Sequence, residues 1–131
     1  MKHKWYINVS DPSALHGIIK YSDFLFNLMP PYDKLVRDRI PEIIESNGRS
    51  CDTRIVFGDE FYTYLDRKLD EEVSEFRHDR DLEELADIME VIYGLAECLG
   101  HTEQELNTLR SKKKEERGGF SRGIVLTNTT D

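Results

Sequence analysis

Two short runs, Glu71-Glu72-Val73-Ser74-Glu75 and Glu84-Leu85-Ala86-Asp87, concentrate the chemistry of this sequence. Glu72 and Glu75 stand three residues apart, as do Glu84 and Asp87, so on helices each pair shares a face. Carboxylates brought this close repel one another unless something positive sits among them. Hard oxygen donors at such density suit Mg²⁺ or Mn²⁺. No His or Cys joins the cluster, which argues against zinc. The plainer alternative is a solvated acidic face, which suits Glu71, Glu83 and Glu90. Asp81-Leu82-Glu83-Glu84 can also be a helix capping box. Asp87 weighs against the plain alternative, because Leu85, Ala86 and Ile88 surround it and an unpaired carboxylate among apolar groups is costly.

A basic complement lies downstream. Arg110, Lys113 and Arg117 follow an i, i+3, i+7 spacing and form one stripe on a helix, a place for substrate phosphates. Bases near a helix C-terminus are also favoured by the macrodipole alone. Lys34, Arg37 and Arg39 form a second basic group, equally readable as a local ion-pair cluster around Asp38. Carboxylates for a divalent cation, with bases for anionic oxygens, make a layout for polyphosphate chemistry. No Walker loop, Gly-x-Gly-x-x-Gly or Ser/His/Asp pattern is present.

The elements that must position these groups follow from hydrophobic spacing. Tyr62, Leu65, Leu69, Val73 and Phe76 recur at three- and four-residue steps and predict a helix over 60–78. At about 100° per residue, Glu72 and Glu75 flank that stripe rather than oppose it. After the polar break at 78–81 comes a more apolar helix over 82–99, closed by Gly100. So short a connection implies an antiparallel hairpin, which can gather the four carboxylates at the edge of its interface. Leu85, Ile88, Met89, Val91, Ile92, Leu95, Ala96 and Leu99 cover well over half of the second helix. It therefore needs two partners, one of which could belong to another subunit. Thr102 and Glu105 form a capping box that opens a last helix, ending at Arg117-Gly118-Gly119. A short helix over 41–47 is predicted from Pro41 and Gly48. Residues 53–57 and 120–126 could form short strands and pair. A strand over 5–9 and a helix over 10–28 are predicted before Pro30-Pro31.

The 131 residues suit one domain. With 26 acids against 18 bases the net charge is −8, a poor match to duplex nucleic acid or an anionic membrane surface. The charged fraction of 34% favours amphipathic helices over a sandwich. Cys51 and Cys98 are too few for a disulfide scaffold. No apolar run approaches a membrane span, and no secretory signal is evident. The expectation is a soluble, cytoplasmic, all-α protein.

Three blocks in order resemble the MazG-like, all-α nucleoside triphosphate pyrophosphohydrolases. Glu71-Glu72-x-x-Glu75 with Glu84-x-x-Asp87 is similar to the EExxE…ExxD signature of that superfamily, which includes phosphoribosyl-ATP pyrophosphohydrolase and dimeric dUTPases. The stretches 34–44, 83–92 and 116–120 are similar to the "KLVRDKIPEII", "EELADILEVI" and "ERGGF" blocks of its small members. Only eight residues separate Glu75 from Glu84, fewer than in many of its members, and Asp70 extends the acidic run. The likeness covers about 32–126. Residues 1–30 match nothing in the family and are set apart as an extension of unknown role, with 31–131 as the domain.

The resemblance implies an antiparallel helical bundle completed as a homodimer or homotetramer. It also implies Mg²⁺-dependent cleavage between the α and β phosphates. By position, Glu72, Glu75, Glu84 and Asp87 correspond to metal ligands, and Glu71 or Glu75 to the group that orients the attacking water. Lys113 and Arg117 correspond to triphosphate contacts, with Arg110 on the same stripe and Lys34 and Arg37 as weaker candidates. Phosphoribosyl-ATP hydrolysis is a sister reading. A module that binds a nucleotide or a protein without turnover is the reading from a different class.

Overall fold

The computed structural model describes residues 33–131; the elements expected at 5–9 and 10–28 lie outside the described residues. The chain is all-α: four helices and no strand among the described residues. We number them α1 (Ile40–Ser46), α2 (Gly58–Asp79), α3 (Leu82–Cys98) and α4 (Glu103–Arg117). No helix among the described residues is long and apolar enough to cross a membrane.

Each helix begins and ends for local reasons. Pro41 sits in the first turn of α1, where its missing N–H costs nothing. α2 carries Asp59 and Glu60 in its first turn and Arg77 and His78 in its last, the arrangement the macrodipole favours. Arg80 ends it in the left-handed region (φ 51°, ψ 43°), its N–H donating to the Phe76 carbonyl at 2.7 Å. One residue later Asp81 opens α3 by accepting from the Glu84 N–H at 3.0 Å. Two residues thus reverse the chain and fold α2 back on α3. Gly100 (φ 85°) takes the chain out of α3, and the Thr102–Glu105 capping box starts α4.

The hairpin of α2 and α3 is the body of the described structure, with α4 packed more sparsely against α3. Leu65, Val91 and Ala96 form its apolar centre, with Ile40 of α1 also buried. Gly94 allows the two long helices to approach, since a Cβ there would stand 3.0 Å from Leu65 Cδ2. The Tyr93 hydroxyl ties α3 to α4 through Asn107 Oδ1 at 3.2 Å. The second apolar face expected of the 82–99 helix is present. Leu85, Met89, Ile92 and Leu99 stay exposed while Val91 and Ala96 are buried.

The strands expected at 53–57 and 120–126 are not formed. Ile55 is 86% exposed and Phe120 99% exposed. A β-branched segment becomes a strand only when a neighbour satisfies its backbone N–H and C=O groups, and neither segment has one among the described residues.

Candidate metal centre

The buried interior of the hairpin is mostly charged. Glu71, Glu72, Glu75, Glu84 and Lys68 are all buried. Glu72, at 1% exposure, is the most enclosed large side chain among the described residues. Helical spacing explains the stacking: Lys68, Glu71, Glu72 and Glu75 fall on successive turns of one α2 face. That face lies against the start of α3, which supplies Glu84 and, one turn on, Asp87.

Two carboxylate groupings meet at Glu72. Oxygens of Glu71, Glu72 and Glu75 lie within 4.8 Å of one another, and so do oxygens of Glu72, Glu84 and Asp87. The hairpin therefore brings the four carboxylates expected as ligands into one neighbourhood, with Glu72 at the centre. Sequence reasoning missed a third grouping, Asp79, Asp81 and Glu84 at the hairpin turn. There Asp81 caps α3 and Asp79 meets His78 Nδ1 at 2.6 Å.

Cations reach the cluster from two directions. Lys68 Nζ lies 3.3 Å from Glu71 Oε2 and 3.2 Å from Glu72 Oε1. Lys34 Nζ, from the segment before α1, lies 3.2 Å from the other Glu71 oxygen. Arg37 Nη2 donates to Asp87 Oδ1 at 2.7 Å. Burial lowers the Lys68 ammonium below the ordinary lysine range, opposed by the adjacent Glu71 and Glu72 carboxylates and reinforced by nearby Lys34.

Glu71, expected on a solvated face in the plainer alternative, is buried and held by two lysines. Asp87, at 24% side-chain exposure, is less enclosed than its neighbours and is partnered by Arg37. Lys34 and Arg37, the weaker basic candidates, are the ones that touch the carboxylates. Arg110, Lys113 and Arg117 are exposed on α4, and among the described residues they pair with no carboxylate; Arg110 donates to Ser111 Oγ. Lys68 was missed, although its spacing of three and four residues from Glu71 and Glu72 could have revealed it. An open groove of about 700 Å³ along α4 includes Asn107, Thr108 and Lys112 but none of the hairpin carboxylates.

The carboxylate groupings could hold a metal ion. Every candidate ligand is a carboxylate oxygen.

The fold and the site together define an all-α protein with a buried carboxylate centre on a helical hairpin. No protein-family model matches the chain, and no solved structure matches it. An uncharacterized protein of Mycolicibacterium smegmatis is similar, 54% identical over 44 residues. That stretch is 34% of this chain and 45% of the relative, so the chain spans less than half the length of the relative it matches.

Proposed function

We propose that this chain is a Mg²⁺-dependent nucleotide pyrophosphohydrolase of the MazG-like kind, hydrolysing the bond between the α and β phosphates. Water adds at a phosphorus, the bridging oxygen leaves with the departing pyrophosphate, and a nucleoside monophosphate remains. The observation that carries this reading is the burial of Glu72 among Glu71, Glu75, Glu84 and Asp87 on one hairpin. Burying so many carboxylates together is strongly unfavourable unless cations join them.

Glu72, Glu75, Glu84 and Asp87 would hold the ion. Bound there, Mg²⁺ supplies charge neutralisation for phosphate oxygens. Lys34 and Lys68 fix the two oxygens of Glu71 in place, which orients that side chain at the edge of the cluster. Glu71 or Glu75 would orient the attacking water and accept its proton. Arg37 holds Asp87 in position through a short charge-assisted hydrogen bond. Lys113 and Arg117, exposed on α4, are the candidates to meet the outer phosphates.

Pyrophosphate release from a panel of nucleoside triphosphates and phosphoribosyl-ATP, with and without Mg²⁺, tests the reading and ranks the substrates. Release that requires Mg²⁺ and disappears in Glu72→Gln is expected. Absence of release from every nucleotide, with nucleotide binding retained, would make the chain a binding module instead.

A further inference from the structure

Arg67 is set apart from the other cations of the hairpin by what it touches. Its guanidinium carbon lies over the Tyr64 ring, 5.3 Å from the centroid. Among the described residues it pairs with no carboxylate. Glu71, one turn further on α2 and within reach of position 67 by helical spacing, gives its two oxygens to Lys34 and Lys68 instead. Arg54 shares the same ring at 5.5 Å, but its charge is met by Glu60 at 3.0 Å. The ring itself is fixed, its hydroxyl donating to Asp33 Oδ1 at 2.9 Å. Arg67 is exposed and borders a tight recess with Lys34, Tyr64, Lys68 and Glu71.

A cation that is stacked in place, with no carboxylate partner among the described residues, at the rim of a carboxylate centre is organised for an incoming anion. Stacking on an aromatic face orients a guanidinium and leaves its N–H edge free. That edge matches two oxygens of a phosphoryl group. We infer that Arg67 is a phosphate contact, steadied by Tyr64, for a polyphosphate bound beside the carboxylate centre. The inference rests on the proposed nucleotide chemistry and adds to it a grip on the hairpin itself, independent of the α4 stripe.

The test separates the two. Binding of inorganic tripolyphosphate in the presence of Mg²⁺ is measured by calorimetry on the full chain, alongside pyrophosphate release. Arg67→Ala is expected to weaken binding roughly ten- to a hundredfold, the scale of one lost charged contact, with the melting temperature unchanged. Arg67→Lys, which keeps the charge but loses the planar fork, should fall between. Arg77→Ala removes the same charge from an exposed site further along α2 and should bind within about twofold of the parent, because exposed charges away from a ligand are screened. Parental binding in Arg67→Ala, an equal loss in Arg77→Ala, or no tripolyphosphate binding by the parent would each overturn the contact. Mg²⁺-dependent pyrophosphate release would survive the first two results. Conversely, tripolyphosphate binding that depends on Arg67 without any nucleotide turnover would keep the subsite and remove the hydrolase.

Discussion

The α2–α3 hairpin holds a cluster of charged side chains inside it; on α4 every charged side chain is exposed. Glu71, Glu72, Glu75, Glu84 and Lys68 are buried, with Lys68 paired to Glu71 and Glu72. Arg110, Lys112, Lys113, Lys114 and Arg117 are exposed, and no residue of α4 is buried. Both regions are amphipathic helices rich in charge, so composition does not separate them. The desolvation of the charge does. An exposed base on the last turns of a helix is stabilised by the macrodipole whether or not it has a task. A buried carboxylate has no such ready explanation, because removing it from water costs far more than a surface position would. The contrast is why the proposed chemistry is placed on the hairpin rather than on α4.

The largest effect is expected at the centre of the hairpin. On the proposed chemistry, Glu72→Gln should cut Mg²⁺-dependent turnover by about a thousandfold, the scale of several kcal/mol of charge stabilisation acting through a bound ion. The same variant should abolish the Mg²⁺-induced rise in melting temperature that mass action requires of a metal bound to the native state. Asp87→Ala should abolish that rise as well. A parental rise in either variant would take that residue out of the metal site.

Next comes the buried cation. Lys68→Met keeps the length of the side chain but leaves Glu71 and Glu72 without a shared ammonium. Breaking a buried pair from one side costs about 3–5 kcal/mol, so the melting temperature without divalent ions should fall sharply. Mg²⁺ should then raise it more than it raises the parent, because the ion replaces part of the missing charge. Equal stability in the variant and parent would mean that Lys68 is a bystander in the carboxylate cluster.

The α4 stripe sharpens the comparison from the other side. Lys113→Ala and Arg117→Ala should leave stability within about 0.5 kcal/mol of the parent, as exposed positions do. Each should lower turnover roughly ten- to a hundredfold if it meets substrate phosphates. Lys112→Ala, about 100° round the helix from Lys113, should change turnover by less than about threefold. An equal loss in Lys112→Ala would reduce the stripe to general attraction of anions, leaving the hairpin as the region with specific contacts.

Much of the hairpin was legible in the sequence because its signals are local. The three- and four-residue recurrence from Tyr62 to Phe76, the polar break at 78–81 and the Thr102–Glu105 pair depend only on neighbours in the chain. They placed three helices within two residues of where they lie. The carboxylate cluster was legible for the same reason, as i, i+3 pairs on two helices joined by a short turn. Its cations were not. Which of Lys34, Arg37 and the α4 bases reaches the carboxylates depends on how the segment before α1 lies along the hairpin, and no periodicity encodes that. Lys68 was passed over for another reason: its three- and four-residue spacing from Glu71 and Glu72 was legible, but a lysine on a charged helix also reads as solvated. The segments 53–57 and 120–126 failed as strands because β propensity describes a fit to a neighbour, and the described residues supply none.

The smallest effect belongs to the capping box, which tests whether α4 is held by local geometry alone. Glu105 accepts from the Thr102 N–H at 3.3 Å and meets His101 Nδ1 at 3.0 Å. The His101 contact, followed by the Thr102 backbone N–H and hydroxyl, lowers the Glu105 carboxyl below its ordinary range. An acid with a depressed native pKa binds its proton more weakly when folded. Its stabilising contribution is therefore complete above the unfolded-state value and declines as the pH drops through the lowered native one. Glu105→Gln should melt only a degree or two (~1–2 °C) below the parent at neutral pH, the scale of one exposed cap. That difference should close on acidification below the ordinary carboxylate range, when the parent's Glu105 is protonated too. A gap that persists unchanged into strong acid would show that the box acts through shape and hydrogen bonding rather than charge. Metal-dependent turnover should be the same in both proteins at neutral pH, because nothing in the box touches the hairpin carboxylates. A loss of turnover in Glu105→Gln would instead couple α4 to the site and erase the division between the two regions.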